Sequence, residues 1–450
     1  MKKIISLMLL LLIITSLTAC GHTVPSAIPD TEEGSAAPTA EASYTEASHT
    51  EAPVSGGTVT VWCWDPAFNI YAMEEAAKVY KRVNPNFELN VVETPWEDVQ
   101  TKLTAAAAAK RLDTLPDIFL CQDNAFQKFV ITYPEVFTDI TNSGIDFSKF
   151  ASAKVAYSVL GGKNYGVPFD NGAVITCLHT DAIQEAGYSI SDFTGITWDT
   201  FIELGKSILE TTGKPLLSFI TREPDLIMIM LQSAGSSLFN GDGTPNIVNN
   251  TELKEAMRVF NELVTSGICI EVNSWDEYTA TFINKTVAGT INGCRILAYV
   301  RTADDQSDWA VTNLPKLDIP GGTNYSNNGG SSWAVTTSSG NPDLAIDFLA
   351  KTFAGSVEFY ETILPASGAL ATYLPVGESP IYGEPQPFFA GQKIYKDIIN
   401  FAGKVPSVTT GAYYFEARDA VGAAMNSIIT GMDVDTALRD AEDTVTNAMP

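Results

Sequence analysis

Thr58-Val59-Thr60-Val61-Trp62 opens the stretch that decides the fold. Its β-branched residues read as a strand, and the pattern that follows keeps switching period. Ile70, Met73, Ala77 and Tyr80 recur at helical spacing until Asn84-Pro85 stops them. Phe87, Leu89 and Val91 then alternate with Glu88 and Asn90, as in a half-buried strand. Trp96, Val99 and Leu103 begin a second helix that runs through Ala105 to Ala109, and Pro116-Asp117-Ile118-Phe119-Leu120 is a short apolar strand. A β-α-β-α-β order implies a parallel sheet covered by helices, with functional residues just beyond the strand C-termini. Trp62 to Asp65 and Gln122 to Asn124 occupy such positions.

A second α/β unit follows Tyr165-Gly166-Val167-Pro168-Phe169-Asp170. Ala173 to Leu178 reads as a strand. Thr197 caps a helix carrying Phe201, Leu204 and Ile208, and Asn250 precedes one carrying Leu253, Met257, Phe260 and Val264 that Gly267 closes. Asn341-Pro342-Asp343 has the cap, first-position proline and first-turn acid of another helix start. Two amphipathic helices, Tyr413 to Thr430 and Asp433 to Met449, end the chain, and no internal repeat is visible.

Composition removes several functions. The 450 residues carry 53 acidic against 27 basic side chains, a formal net charge of -26, so nucleic acid is no partner: nothing could neutralise its phosphates. Of the 3 histidines, His22 and His49 lie close to the N-terminus, which leaves His179 to carry any catalytic triad or imidazole metal site alone. Between an apolar run and Thr180-Asp181, His179 reads as a strand-end surface residue. Cys63, Cys121, Cys177, Cys269 and Cys294 show no C-x-x-C spacing, so they read as buried thiols, although Cys63 and Cys121 could approach each other at strand ends. No Walker-type loop is present. No cofactor or metal is expected.

At the N-terminus, Lys2-Lys3, the apolar run Ile4 to Leu17 and Leu17-Thr18-Ala19-Cys20-Gly21 form a secretory signal over residues 1–20. The last five residues closely resemble a bacterial lipobox, which implies lipidation at Cys20 and attachment to the outer face of the cell membrane. Residues 21–57 are rich in Ser, Thr, Ala, Pro and Glu and read as a flexible acidic tether with a reach on the order of 30 to 40 Å.

Several stretches, in order, resemble the family 1 extracellular solute-binding proteins of ABC importers, the family of maltose-binding protein. They are Leu115-Pro116-Asp117-Ile118, Val167-Pro168, Phe282-Ile283-Asn284-Lys285 running on to Asn292-Gly293, Asn313-Leu314-Pro315, Trp333-Ala334-Val335, Asn341 to Leu349, and Ala437-Leu438-Arg439-Asp440-Ala441. The resemblance implies a periplasmic-binding-protein-like α/β fold: two α/β lobes, a hinge of crossing segments and a ligand cleft between the lobes. One lobe would take 58–168 plus 329–368, the other 169–328 plus 369–450. Carried over position by position, the ligand would meet Trp64 or Asp65 after the first strand, Asp123 after the third, Asp170 and Gly172 at the first crossing, Trp333 beyond Gly329-Gly330, and Tyr414 with Arg418 one turn on. After Asn292-Gly293 the maltose-binding branch has an aromatic, whereas this chain has Cys294-Arg295. That departure speaks against a maltodextrin and makes Arg295 a candidate contact.

A sugar offers an apolar C–H face to aromatic rings and a rim of hydroxyls to planar polar groups. Asp123 and Asp170 could accept from hydroxyls, yet a helix cap and a turn would also explain them. Trp64 and Trp333 stand evenly between stacking and core packing, while Trp96, Trp198 and Trp309 read as core. The expected function is a membrane-tethered, monomeric, non-catalytic receptor that takes a saccharide, an oligosaccharide in the first instance, to an ABC permease. The rivals are a cell-surface glycan-processing enzyme built on paired carboxylates, and the same receptor with a peptide, polyamine or metal-chelate cargo.

Overall fold

Strand β1 (Gly57–Cys63) sends alternate side chains to opposite faces of its sheet, and from Val61 to Cys63 both faces are buried. Val59, Val61 and Cys63 enter one apolar cluster, while Trp62 enters another. The same division repeats in β3 (Ile118–Gln122), where Ile118 and Leu120 face one way and Phe119 and Cys121 the other. A sheet buried on both faces is what parallel β-α-β order demands. In the computed structural model, which describes residues 56–303 and 308–449, β1 lies parallel to both β2 (Phe87–Glu93) and β3. The helices α1 (Tyr71–Tyr80) and α2 (Trp96–Ala109) join them. Ser331–Val335 adds antiparallel to β3, and Val167–Pro168 closes this five-stranded sheet.

The second unit is built differently. Val174–His179 is the centre of a three-stranded antiparallel sheet between Gly289–Gly293 and Trp309–Thr312, and a separate parallel pair joins Leu217–Ile220 to Cys269–Val272. Two of the predicted caps hold: Thr197 Oγ1 accepts from Thr200 N at 3.2 Å and Asn250 Oδ1 from Leu253 N at 3.0 Å, whereas Asn341 stands at the N-cap of Pro342–Lys351 without a side-chain capping bond. The terminal helices span Tyr414–Ile429 and Val434–Ala448.

One sequence expectation changes here, and the reading of the cysteines as buried thiols holds. His179 does end a strand, but it is not at the surface: Trp309 stands opposite it in the ladder, the rings lie 3.6 Å apart, and Nε2 is 2.8 Å from the Phe282 carbonyl oxygen. The five cysteines of the body are buried free thiols. Burial pushes the Cys63 thiol up to about 12, so it is an inert packing group. The expected signal peptide, Cys20 and the tether as far as residue 55 lie outside the described residues.

Three segments run side by side between the sheets. Asn171 N donates to Leu370 O at 3.2 Å, Val174 N to Ser326 O at 2.8 Å, and Asn328 N to Gly172 O at 2.8 Å. A Cβ on Gly172 would stand 2.6 Å from Gly329 O, so the crossing admits only glycine there. Beneath it one apolar cluster continues from Val59 through Phe169 and Ala173 to Val311 and Ile398.

Candidate functional site

Helix α3 (Asp123–Thr132) starts directly at the end of β3, which brings its first residues to the sheet's C-terminal edge. From the other unit, the helix Tyr414–Ile429 points its N-terminus at α3 while its body packs in the second core. Lys128 Nζ reaches Glu416 Oε1 at 2.6 Å, and Gly411 N donates to Gln127 Oε1 at 3.1 Å, so the two units touch across this gap.

An open cavity of about 450 Å³ lies beside these contacts. Asn124 of α3 and Tyr157 line it from one side; Gln232, Asn328, Thr410 and Tyr414 line it from the other. Gln232 ties the walls together: its Nε2 donates to Tyr157 OH at 3.2 Å, and its Oε1 accepts from Asn327 N at 2.9 Å and Ser326 Oγ at 3.2 Å. Burial pushes the Tyr157 phenol up to about 12, so it stays a neutral hydroxyl at physiological pH. Arg418 Nη2 donates to Asp225 Oδ1 at 2.8 Å, and Asp225 Oδ2 accepts from Asn328 Nδ2 at 3.1 Å, which fixes the Asn328 amide at the cavity wall. Asn328 Nδ2 also donates to Asn292 Oδ1 at 2.9 Å. A smaller cavity of about 310 Å³ shares Asn327 with the first and is bordered by Lys154, Asn171 and Val405.

The expected site residues divide. Tyr414 lines the larger cavity and Arg418 supports its wall. Asp123 and Asp170 are drawn into one buried cluster instead of the lining. Asp123 pairs with Lys154 through Oδ2 and accepts from Ser332 Oγ at 2.9 Å through Oδ1. Asp170 Oδ1 accepts from Ser331 N at 2.7 Å, and Lys154 Nζ also donates to Ser331 O at 2.8 Å. Burial, working against the Lys154 ammonium, pushes the Asp123 carboxyl up to about 6. These acids stitch the strand Ser331–Val335 to the first crossing. Gly172 provides close backbone contact there.

Trp333 requires a correction. It is fully buried, with its ring 5.4 Å from that of Phe169 and 5.3 Å from that of Phe353. The period of two in its strand decides this: Ser332 faces Asp123, so Trp333 must face the opposite, helix-covered side with Val335. Trp64 is half-buried with its ring 5.7 Å from Trp96, and Asp65 is exposed; both lie outside the cavity lining, as does the exposed Arg295. Sequence reasoning missed Tyr157, Gln232 and Thr410. Their signal, single polar residues among apolar neighbours, is too common to select them without the fold.

Residues 75–371 match the family described as bacterial extracellular solute-binding protein. The chain belongs to that family. Its members bind solutes rather than transform them, and they do so outside the cell membrane, as the ordered stretches of the sequence implied. The lactose-binding protein of Rhizobium radiobacter is 37% identical to this solute-binding protein over 388 residues, 86% of this chain and 92% of that one. An arabinooligosaccharide-binding protein of Halalkalibacterium halodurans is 22% identical over 372 residues, 80% of this chain and 82% of its own length. In fold, the cyclic alpha-maltosyl-1,6-maltose binding protein from Arthrobacter globiformis matches with a TM-score of 0.71 at 20% identity, covering 87% of this chain and 98% of that one. No helix among the described residues is long and apolar enough to cross a membrane.

Proposed function

We propose that this solute-binding protein captures a short saccharide of the lactose type between its lobes and hands it to an ABC permease. The observation that carries the reading is the lining of the larger cavity. Its polar side chains are amides and hydroxyls, Asn124, Gln232, Asn328 and Thr410 among them, with two tyrosines and no charged group among the described residues. A neutral polyol suits neutral donors and acceptors with rings beside them. A polyamine or metal chelate would require carboxylates in the lining, and a glycosidase would require two of them flanking the scissile bond. The relative that binds lactose supports a disaccharide as the cargo.

Sugar held by both walls would favour the closed arrangement of the lobes, which we take as 58–168 plus 329–368 and 169–328 plus 369–450. Lipidation at Cys20 and the tether would keep a monomeric receptor near its permease. Purified residues 58–450 are expected to melt a few degrees higher with lactose at a hundredfold excess over Kd, a stabilisation of about 2.7 kcal/mol. Tyr414→Ala should weaken lactose binding by about 30-fold, in the range of a central aromatic contact. Calorimetric titration checks both. Indifference to lactose, maltose and arabinooligosaccharides alike would remove the saccharide reading, and turnover of the bound sugar would remove the receptor reading.

A further inference from the structure

The segment between the helices Ile394–Ala402 and Tyr414–Ile429 has no helix or strand of its own after Lys404, yet it is fastened to both halves of the molecule. Ser407 Oγ donates to Ser152 Oγ at 3.3 Å, and Gly411 N donates to Gln127 Oε1 at 3.1 Å. On the other side, Ser237 Oγ donates to Thr409 O. Gly411 holds φ at +82° where a Cβ would stand 2.7 Å from the Phe239 ring, so the chain is fixed on both flanks of Thr410. This strap borders both cavities, Val405 the smaller and Thr410 the larger.

Thr410 is 4% exposed, and its Oγ1 is removed from solvent without a hydrogen-bond partner. An unpaired buried hydroxyl destabilises the fold that contains it. Tyr157 and Gln232, in the same lining, are both satisfied by protein groups. The strap holds the Thr410 backbone from both sides while leaving its hydroxyl nothing to bond. We propose that Thr410 is a specificity-determining contact for the ligand: its hydroxyl exchanges a hydrogen bond with one hydroxyl of the bound sugar, and the strap fixes where on the sugar that hydroxyl must be. This rests on the saccharide reading above. A hydroxyl can both donate and accept, so it meets a sugar OH in either sense and discriminates against an analogue that lacks it.

The test uses the folded chain from residue 58 and titrates lactose and its monodeoxy analogues into wild type, Thr410→Val and Thr410→Ser. Valine has nearly the same volume and removes the orphan atom, so the unliganded protein should melt at the wild-type temperature or above. Lactose affinity should fall by about 5- to 100-fold, the cost of stranding a buried hydroxyl of the sugar. Serine should restore most of it. One monodeoxy lactose should bind wild type more weakly than lactose does, yet lose little more on passing to Thr410→Val. Equal lactose affinity in wild type and Thr410→Val overturns the inference and leaves the saccharide reading standing. A wild-type protein that binds none of these sugars overturns both.

Discussion

Substituting Lys154 by methionine is expected to cost the fold about 3–5 kcal/mol, the penalty for stranding a buried charge. The side chain of Lys154 is 7% exposed and that of its partner Asp123 is 0% exposed, so neither can turn to water when the other is lost. Methionine keeps the volume of the alkyl stem, which makes the loss electrostatic. It also has a direction in pH. The Asp123 carboxyl already titrates near 6 in the fold, above its ordinary 3.8. The native state therefore holds a proton that the unfolded state has released across that window, and stability from this group falls as pH rises through it. Without the ammonium the carboxyl rises further, so the deficit of Lys154→Met should grow from pH 5 to pH 8. Urea unfolding at the two pH values measures it. A deficit below 1 kcal/mol at pH 8 would mean that the pair does not anchor the crossing.

Trp333→Ala should cost a similar amount, about 3–5 kcal/mol, by opening a void among Phe169, Phe353 and the sheet. Trp333→Phe should cost much less, because Nε1 has no hydrogen-bond partner and its removal deletes a buried unsatisfied donor. The phenylalanine variant decides the role of the residue. Its lactose affinity should equal that of wild type. A tenfold loss there would return Trp333 to the binding site.

The contrast between these two positions shows what the sequence carries. The β-α-β order, the caps at Thr197 and Asn250 and the terminal helices were legible because each depends on a few adjacent residues and on their period. Which face Trp333 presents depends on its register against Leu120, more than two hundred positions away in the chain. The pairing of Lys154 with Asp123 likewise joins two secondary elements that local pattern cannot bring together. His179 reads as surface until Trp309 is placed across the ladder from it. The candidate site was legible at Tyr414, by family resemblance, and at the strand ends that deliver Asn124. It was not legible at Gln232 or Thr410, whose relevance comes only from the cavity they share.

The apolar cluster that passes under the crossing, from Val59 through Phe169 to Ile398, bears on cooperativity. Two bodies joined only by backbone could melt one after the other. Here an inserted polar group at Phe169 should perturb the packing of both at once, and the two lobes are expected to melt together. Calorimetry of residues 58–450 should record a single endotherm whose van't Hoff and calorimetric enthalpies agree. Any closing of the cleft would then bend one cooperative solid, and side chains remote from the cavity would set its stiffness.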